Sequence, residues 1–110
     1  MSRDFDPNEA VDFIYRTAPL YAQAKADRVY LEEFRKSQKA LLMKSSGESS
    51  IGAQEREAYA HPDYGQLLEG LKAAIEKEET LRWQLISAQM RGELYRTQSA
   101  NNRAMDRAAQ

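Results

Sequence analysis

The stretch Pro62–Ser99, which reads PDYGQLLEGLKAAIEKEETLRWQLISAQMRGELYRTQS, decides the fold class of this 110-residue chain. Its apolar residues recur at alternating spacings of four and three, a pattern typical of a helix that buries one narrow stripe. Pro62 suits the first helical position, where the missing N–H has no partner to lose. The stripe, which we call the long-helix seam, comprises Leu67, Leu71, Ala74, Glu78, Leu81, Leu85, Ala88, Gly92, Tyr95 and Ser99.

A second set of apolar residues lies on the same stretch, outside the seam. These residues also recur at helical spacing, so the apolar surface is wider than one helix partner needs. We therefore expect the long helix to face two neighbours. The second set comprises Leu68, Ile75, Ile86, Met90 and Leu94, with Trp83 beside them.

Two helices are predicted before the long one. A short helix over residues 7–18 begins after Asp6, which can cap it, and Pro19 is expected to kink or end it. A second helix over residues 20–44 has its own 4-3 register. That register comprises Leu20, Ala24, Asp27, Leu31, Phe34, Gln38 and Leu41.

Residues 45–61 connect the second helix to the long one. This segment begins with a polar run of serines and a glycine, which is typical of a turn. If the connection forms a hairpin, the two helices lie antiparallel and Glu78 lies near Arg28. Residues 100–110 follow as a basic tail. The predicted fold is one all-α domain, an elongated, coiled-coil-like antiparallel hairpin with a short N-terminal helix.

The composition supports a small helical protein. Hydrophobic residues make up 42% and charged residues 30% of the chain, and Val and Ile are too few for a sheet protein. A slender bundle of this size has a limited core, so we expect it to form a homo-oligomer that buries more apolar area.

No pattern in the sequence indicates catalysis. The chain has no Cys and a single His, which excludes thiolate zinc sites and leaves His61 with too few companion ligands for a metal. No nucleophile elbow or phosphate-binding glycine loop occurs either. We therefore expect a protein that is not an enzyme and has no cofactor, no metal and no small-molecule substrate.

Basic residues along the second helix form one candidate site. They recur at spacings of three and four and so share a face, which suits either a row of phosphate contacts or a solvated flank that pairs with acids of the long helix. Both interpretations stay open on the sequence alone. The candidate nucleic-acid-binding residues of this helix are Lys25, Arg28, Arg35, Lys36 and Lys39.

The second half of the long helix offers two further candidates. From Arg82 onward there are five arginines against two acidic residues, and arginine binds phosphate in bidentate fashion, so Arg96 and Arg103 join the nucleic-acid-binding set. The first half of this helix is acidic, and such a charge distribution suits antiparallel self-pairing. The candidate interface residues are Leu81, Trp83, Leu85, Ala88, Gly92 and Tyr95.

Three stretches resemble small helical proteins encoded by tailed bacteriophages and prophages. They are AKADRVYLEEFRK at 24–36, the run 55–64 with its YAHPDY, and YRTQSANNR at 95–103. Genes for such proteins often lie among recombination and replication genes. The lysine-rich helix, polar turn and long helix are also loosely similar in architecture to phage recombination mediators, which load a recombinase on single-stranded DNA as oligomers.

The resemblance implies a non-enzymatic phage accessory protein for DNA recombination or replication, working in the host cytoplasm. It would be an oligomeric scaffold that binds single-stranded DNA weakly and in a salt-dependent way. The alternative is a protein-interaction module that docks on a host or phage protein, or a small scaffold for virion assembly. No apolar run is long enough to cross a membrane, so no membrane partner is expected.

Overall fold

The computed structural model describes residues 6–109, so residues 1–5 and 110 of the predicted domain lie outside it. Three helices follow one another: α1, Pro7–Lys44; α2, Ile51–Ala60; and α3, Pro62–Ala109. The two long helices α1 and α3 pack antiparallel, and the short α2 lies between them in the chain. The all-α prediction with an antiparallel hairpin is confirmed. The connection 45–61 contains α2, and the predicted tail 100–110 continues α3 as far as Ala109.

Local side-chain chemistry sets where the helices begin. Asp6 caps α1, as the sequence predicts: its Oδ1 accepts a hydrogen bond from the Asn8 N–H at 2.9 Å. The Ala53 N–H donates to Ser50 Oγ at 3.2 Å at the start of α2. The Asp63 N–H donates to His61 Nδ1 at 3.0 Å, so the single histidine caps α3. These caps satisfy N–H groups that a helix start leaves without partners.

The segment after α1 turns at Gly47. Its φ of +76° lies in the left-handed region, where an L side chain is strained, so a glycine is the suitable residue at this position. The Ser45 and Ser46 hydroxyls donate to the carbonyls of Leu42 and Met43 and satisfy acceptors at the end of the helix.

Pro19 lies inside α1 and does not end it. The prediction of two separate helices over 7–18 and 20–44 is therefore wrong. Pro19 lies on the exposed side of the helix, opposite the stripe that includes the buried Thr17 and the half-buried Tyr21. Packing of that stripe before and after the proline offsets the loss of one backbone hydrogen bond.

The buried stripe of α1 differs from the predicted register by one residue at three of its seven positions, and Phe34 is half-buried as predicted. Ala24 is buried, and Leu31 and Gln38 are half-buried, as expected, but Leu20 and Leu41 are exposed at 53% and 58%. In their places Tyr21 and Leu42 are covered, and Arg28 takes the place of Asp27. The reason is electrostatic, because Asp27 in the stripe would meet the buried carboxylate of Glu78, whereas Arg28 pairs with it.

The long-helix seam of α3 matches its prediction. Nine of its ten positions are buried or half-buried, and Tyr95 is exposed by 38%. The chain divides into two compact units. One, the central unit, is residues 22–79. The other, the terminal unit, comprises the described residues up to Tyr21 and those from Thr80 onward.

Candidate binding surfaces

An ion pair in the central unit joins α1 to α3. Arg28 donates from Nε to Glu78 Oε2 at 2.6 Å and from Nη2 to Glu78 Oε1 at 3.0 Å. Its third bond, from Nη1, goes to Glu32 at 3.0 Å. The Glu78 side chain is only 8% exposed, so this bidentate pair lies within the helix contact. The bonds to Glu78 and Glu32 raise the pKa of Arg28 above its ordinary value, against the opposing effect of burial.

Lys39 makes a second contact between elements, this time with α2. Its Nζ lies 3.3 Å from Glu55 Oε1 and 4.8 Å from the centre of the Tyr59 ring. The Tyr59 side chain and then the Glu55 carboxylate raise the pKa of Lys39, while burial lowers it. The Tyr59 ring in turn meets Tyr64 edge to face at 5.3 Å. Lys39 therefore belongs to the packing of α1 on α2 rather than to a free cationic surface.

The predicted basic stripe of α1 is thus not one open phosphate-binding surface. Arg28 and Lys39 are committed to carboxylates of other elements, and Lys36 pairs with Glu33 at 3.3 Å on the same helix. Lys25 and Arg35 are exposed and have no ion pair among residues 6–109. The geometry supports the interpretation of a flank that pairs with acids, including the expected approach of Glu78 to Arg28.

The arginines in the second half of α3 have a different environment. Arg91, Arg96, Arg103 and Arg107 are exposed, and no ion pair involves them in the part of the chain that the structure describes. Every residue from Ala100 to Ala109 is exposed as well. This end of α3 is therefore the most open basic surface of the terminal unit.

The terminal unit also presents an apolar face on α3. Trp83, Met90 and Leu94 are exposed by 59%, 63% and 59%, and Ile86 is half-buried. At about 100° per residue these four side chains fall within a sector of about 80° of the helix surface. We call this set the outer face. The Arg82 guanidinium lies 5.1 Å from the centre of the Trp83 ring, a cation–π contact at the edge of the face.

The predicted interface residues separate into two groups. Ala88 is buried, and Leu81, Leu85 and Gly92 are half-buried, so these seam positions are already covered within the chain. Trp83 lies on the outer face instead. The sixth, Tyr95, is a partly exposed residue of the seam.

Some exposed or half-buried aromatic and apolar residues were not among the candidate site residues. Tyr30 and Phe34 stack on α1 with ring centres 5.9 Å apart, and their spacing of four residues was a usable signal. Val11 and Tyr15 are 64% and 82% exposed at the same spacing. Apolar residues at successive positions near the start of α1 do not show from the sequence alone which of them stay exposed.

Comparisons with models of protein families, with curated proteins and with solved structures find no match for this chain. Within residues 6–109, none of the helices combines the length and the apolar character that crossing a membrane requires. The same residues contain no group of three or more His, Asp or Glu side chains placed to hold a metal ion.

Proposed function

We propose that this protein is a non-enzymatic protein-interaction module that binds its partner through the outer face of α3. One observation carries the proposal: Trp83, Met90 and Leu94 are each about 60% exposed on one side of one helix. Large apolar side chains grouped in this way mark interaction surfaces, and tryptophan and methionine are enriched at the centres of such surfaces. Among our sequence hypotheses, this corresponds to the protein-interaction module.

A photo-crosslinking amino acid at position 90 tests the proposal directly. Irradiation should join the protein to its partner, and the mass of the adduct identifies the partner as a second copy or another protein. The same amino acid at position 41 is the control, because Leu41 is similarly exposed at 58% but lies on α1 in the central unit. Equal crosslinking at both positions, or none at either, would refute the proposal.

A second candidate function is weak binding of single-stranded DNA by the exposed arginines of α3. Its support is the open basic surface that includes Arg96 and Arg103, together with the resemblance to phage proteins near recombination genes. On this proposal the protein is a phage accessory factor for recombination or replication in the host cytoplasm. Phosphate contacts by arginine need no sequence readout and weaken steeply with salt.

Anisotropy of a labelled single-stranded oligonucleotide at about 50 and 200 mM salt tests this second candidate. Arg96→Glu/Arg103→Glu should abolish binding at low salt. Lys25→Glu/Arg35→Glu serves as the matched control, because it makes the same charge change at exposed positions of the central unit. Binding that does not depend on salt would reject the role of the α3 arginines. So would binding that persists in Arg96→Glu/Arg103→Glu but is lost in Lys25→Glu/Arg35→Glu.

A further inference from the structure

We infer that the occupant of the outer face is a second copy of this chain, whose α3 lies antiparallel across it. This inference rests on the proposed function and names its partner. Three observations support it: the spacing of the apolar residues, the charges beside them and the exposed apolar area of the outer face.

The first observation is the spacing. Ile86 and Met90 lie at equal distances from residue 88 along α3, and Trp83 and Leu94 lie nearly so. A two-fold axis that passes between the two copies at the level of residue 88 therefore places Ile86 opposite Met90 of the second copy. Trp83 then lies opposite Leu94 of the second copy with an axial offset of about 1.5 Å. A surface that maps onto itself in this way can form a closed, isologous dimer.

The second observation is the charge at one edge of the outer face. By the rotation of about 100° per residue, the helix positions of Arg82 and Glu93 lie on the edge opposite to that of Trp83 and Leu94, and the Arg82 guanidinium also contacts the Trp83 ring. The same two-fold axis brings Arg82 to within about 1.5 Å of the level of Glu93 of the second copy. Because the operation is symmetric, the pair forms twice. Opposite charges beside an apolar stripe fix register and orientation in helix pairs.

The third observation is area. Trp83, Met90 and Leu94 each leave about 60% of their surface exposed on the outer face. In an isologous dimer the same residues of the second copy add an equal apolar area to the contact. This area can be buried without rearrangement of the seam of α3.

Sedimentation equilibrium across a range of concentrations measures the association. We expect a monomer–dimer equilibrium whose Kd rises at least about tenfold in Met90→Glu, because a carboxylate is placed at the centre of the apolar contact. Leu41→Glu is the matched control and should leave the Kd within about threefold, since Leu41 is similarly exposed at 58% but lies on α1 rather than on the outer face of α3. A monomer at every concentration, or equal effects of both variants, would overturn the inference.

A cysteine pair tests the register. The chain has no cysteine, and positions 82 and 93 are about 16 Å apart on one helix, too far for a disulfide within a copy. Arg82→Cys/Glu93→Cys should therefore oxidise to a covalent dimer. Each single variant is its control, because the two-fold axis separates identical positions by about 15–18 Å. Covalent dimers from the single variants, or none from the double variant, would refute the antiparallel register.

The two tests separate the inference from the function on which it rests. If the protein stays monomeric while the crosslinker at position 90 captures a different protein, self-association is refuted and the function as a protein-interaction module stands. If position 90 captures nothing, both are refuted. An adduct with the mass of two chains supports both together.

Discussion

The central unit and the terminal unit differ in the size of the side chains that they bury. In residues 22–79, Leu42, Ala58 and Tyr64 form a buried cluster against which Met43 packs. In the described part of the terminal unit the buried residues are Ala10, Thr17 and Ala88, all small. Its large apolar residues are half-buried, like Leu85, or exposed, like Trp83 and Met90. The terminal unit therefore leaves the single tryptophan of the chain open to binding.

The polar contacts divide in the same way. The ion pairs Arg28–Glu78 and Lys39–Glu55, each between two helices, both lie in the central unit. The exposed arginines Arg96 and Arg103 of the terminal unit have no ion pair among the described residues. A paired charge contributes to stability and register, whereas an open one is available to a ligand. Substitutions in the central unit should therefore change stability first, and those on the outer face should change binding first.

The largest effect on stability is expected from Tyr64→Ala. Tyr64 is 9% exposed and contributes the largest side chain of the buried cluster. Truncation of a buried aromatic residue costs about 3 kcal/mol through lost burial and the cavity that remains. Urea unfolding followed by circular dichroism measures the change. Tyr15→Ala, at a tyrosine 82% exposed in the terminal unit, should cost less than about 0.5 kcal/mol, and equal losses would contradict the comparison.

The next largest effect is expected at the Arg28–Glu78 pair. Glu78→Leu leaves the half-buried guanidinium with fewer acceptors, and Arg28→Leu leaves a buried carboxylate. Removal of one partner destabilises more than replacement of both by apolar residues. Each single variant should therefore lower the Tm by at least about twice the change seen in Arg28→Leu/Glu78→Leu. Additive losses in this double-mutant cycle would mean that the pair is not coupled.

Most of the fold could be predicted because its signals are local or periodic. The seam of α3, the cap at Asp6 and the approach of Glu78 to Arg28 follow from spacing and charge, and all are found. The stripe of α1 could not be fixed in the same way. Leu20 and Tyr21, like Leu41 and Leu42, offer apolar side chains on adjacent positions, so periodicity alone allows either rotation of the helix.

Two features depend on tertiary contacts: the continuity of α1 through Pro19, and the pairing of basic residues of α1 with carboxylates of other helices. Pro19 has a strong local tendency to end a helix, and only packing along the rest of α1 overrides it. Lys39 was predicted on a shared basic face, but its pairing with Glu55 depends on the formation of α2. The outer face was visible in the sequence as the second apolar set. Which of its members would stay exposed required the structure.

A smaller effect, in the opposite direction, is expected from glycine replacement in α3. A Cβ added at Gly92 in the terminal unit or at Gly70 in the central unit meets no atom within 4 Å. Alanine in a helix interior is favoured over glycine by about 1 kcal/mol. Both Gly92→Ala and Gly70→Ala should therefore stabilise the protein by up to that amount in urea unfolding. A loss at Gly92 alone would show that the seam there requires a closer approach of α1.

The smallest effect is the pH dependence of the Lys39 contact. Contacts with the Tyr59 side chain and the Glu55 carboxylate raise the pKa of Lys39 above 10.5 in the folded state. A group whose folded pKa exceeds its unfolded pKa contributes stability that is fully present below the unfolded value and is lost as the pH rises through the folded value. The Tm difference between the wild type and Lys39→Met should therefore stay constant from neutral pH to about 10 and shrink at higher pH.

Lys36→Met, which removes a lysine 70% exposed beside Glu33, should give a smaller difference throughout, because an exposed pair contributes little. A difference that widened above pH 10.5 would mean that the charged form of Lys39 is disfavoured in the fold, which would contradict its assignment to the helix contact rather than to a ligand surface.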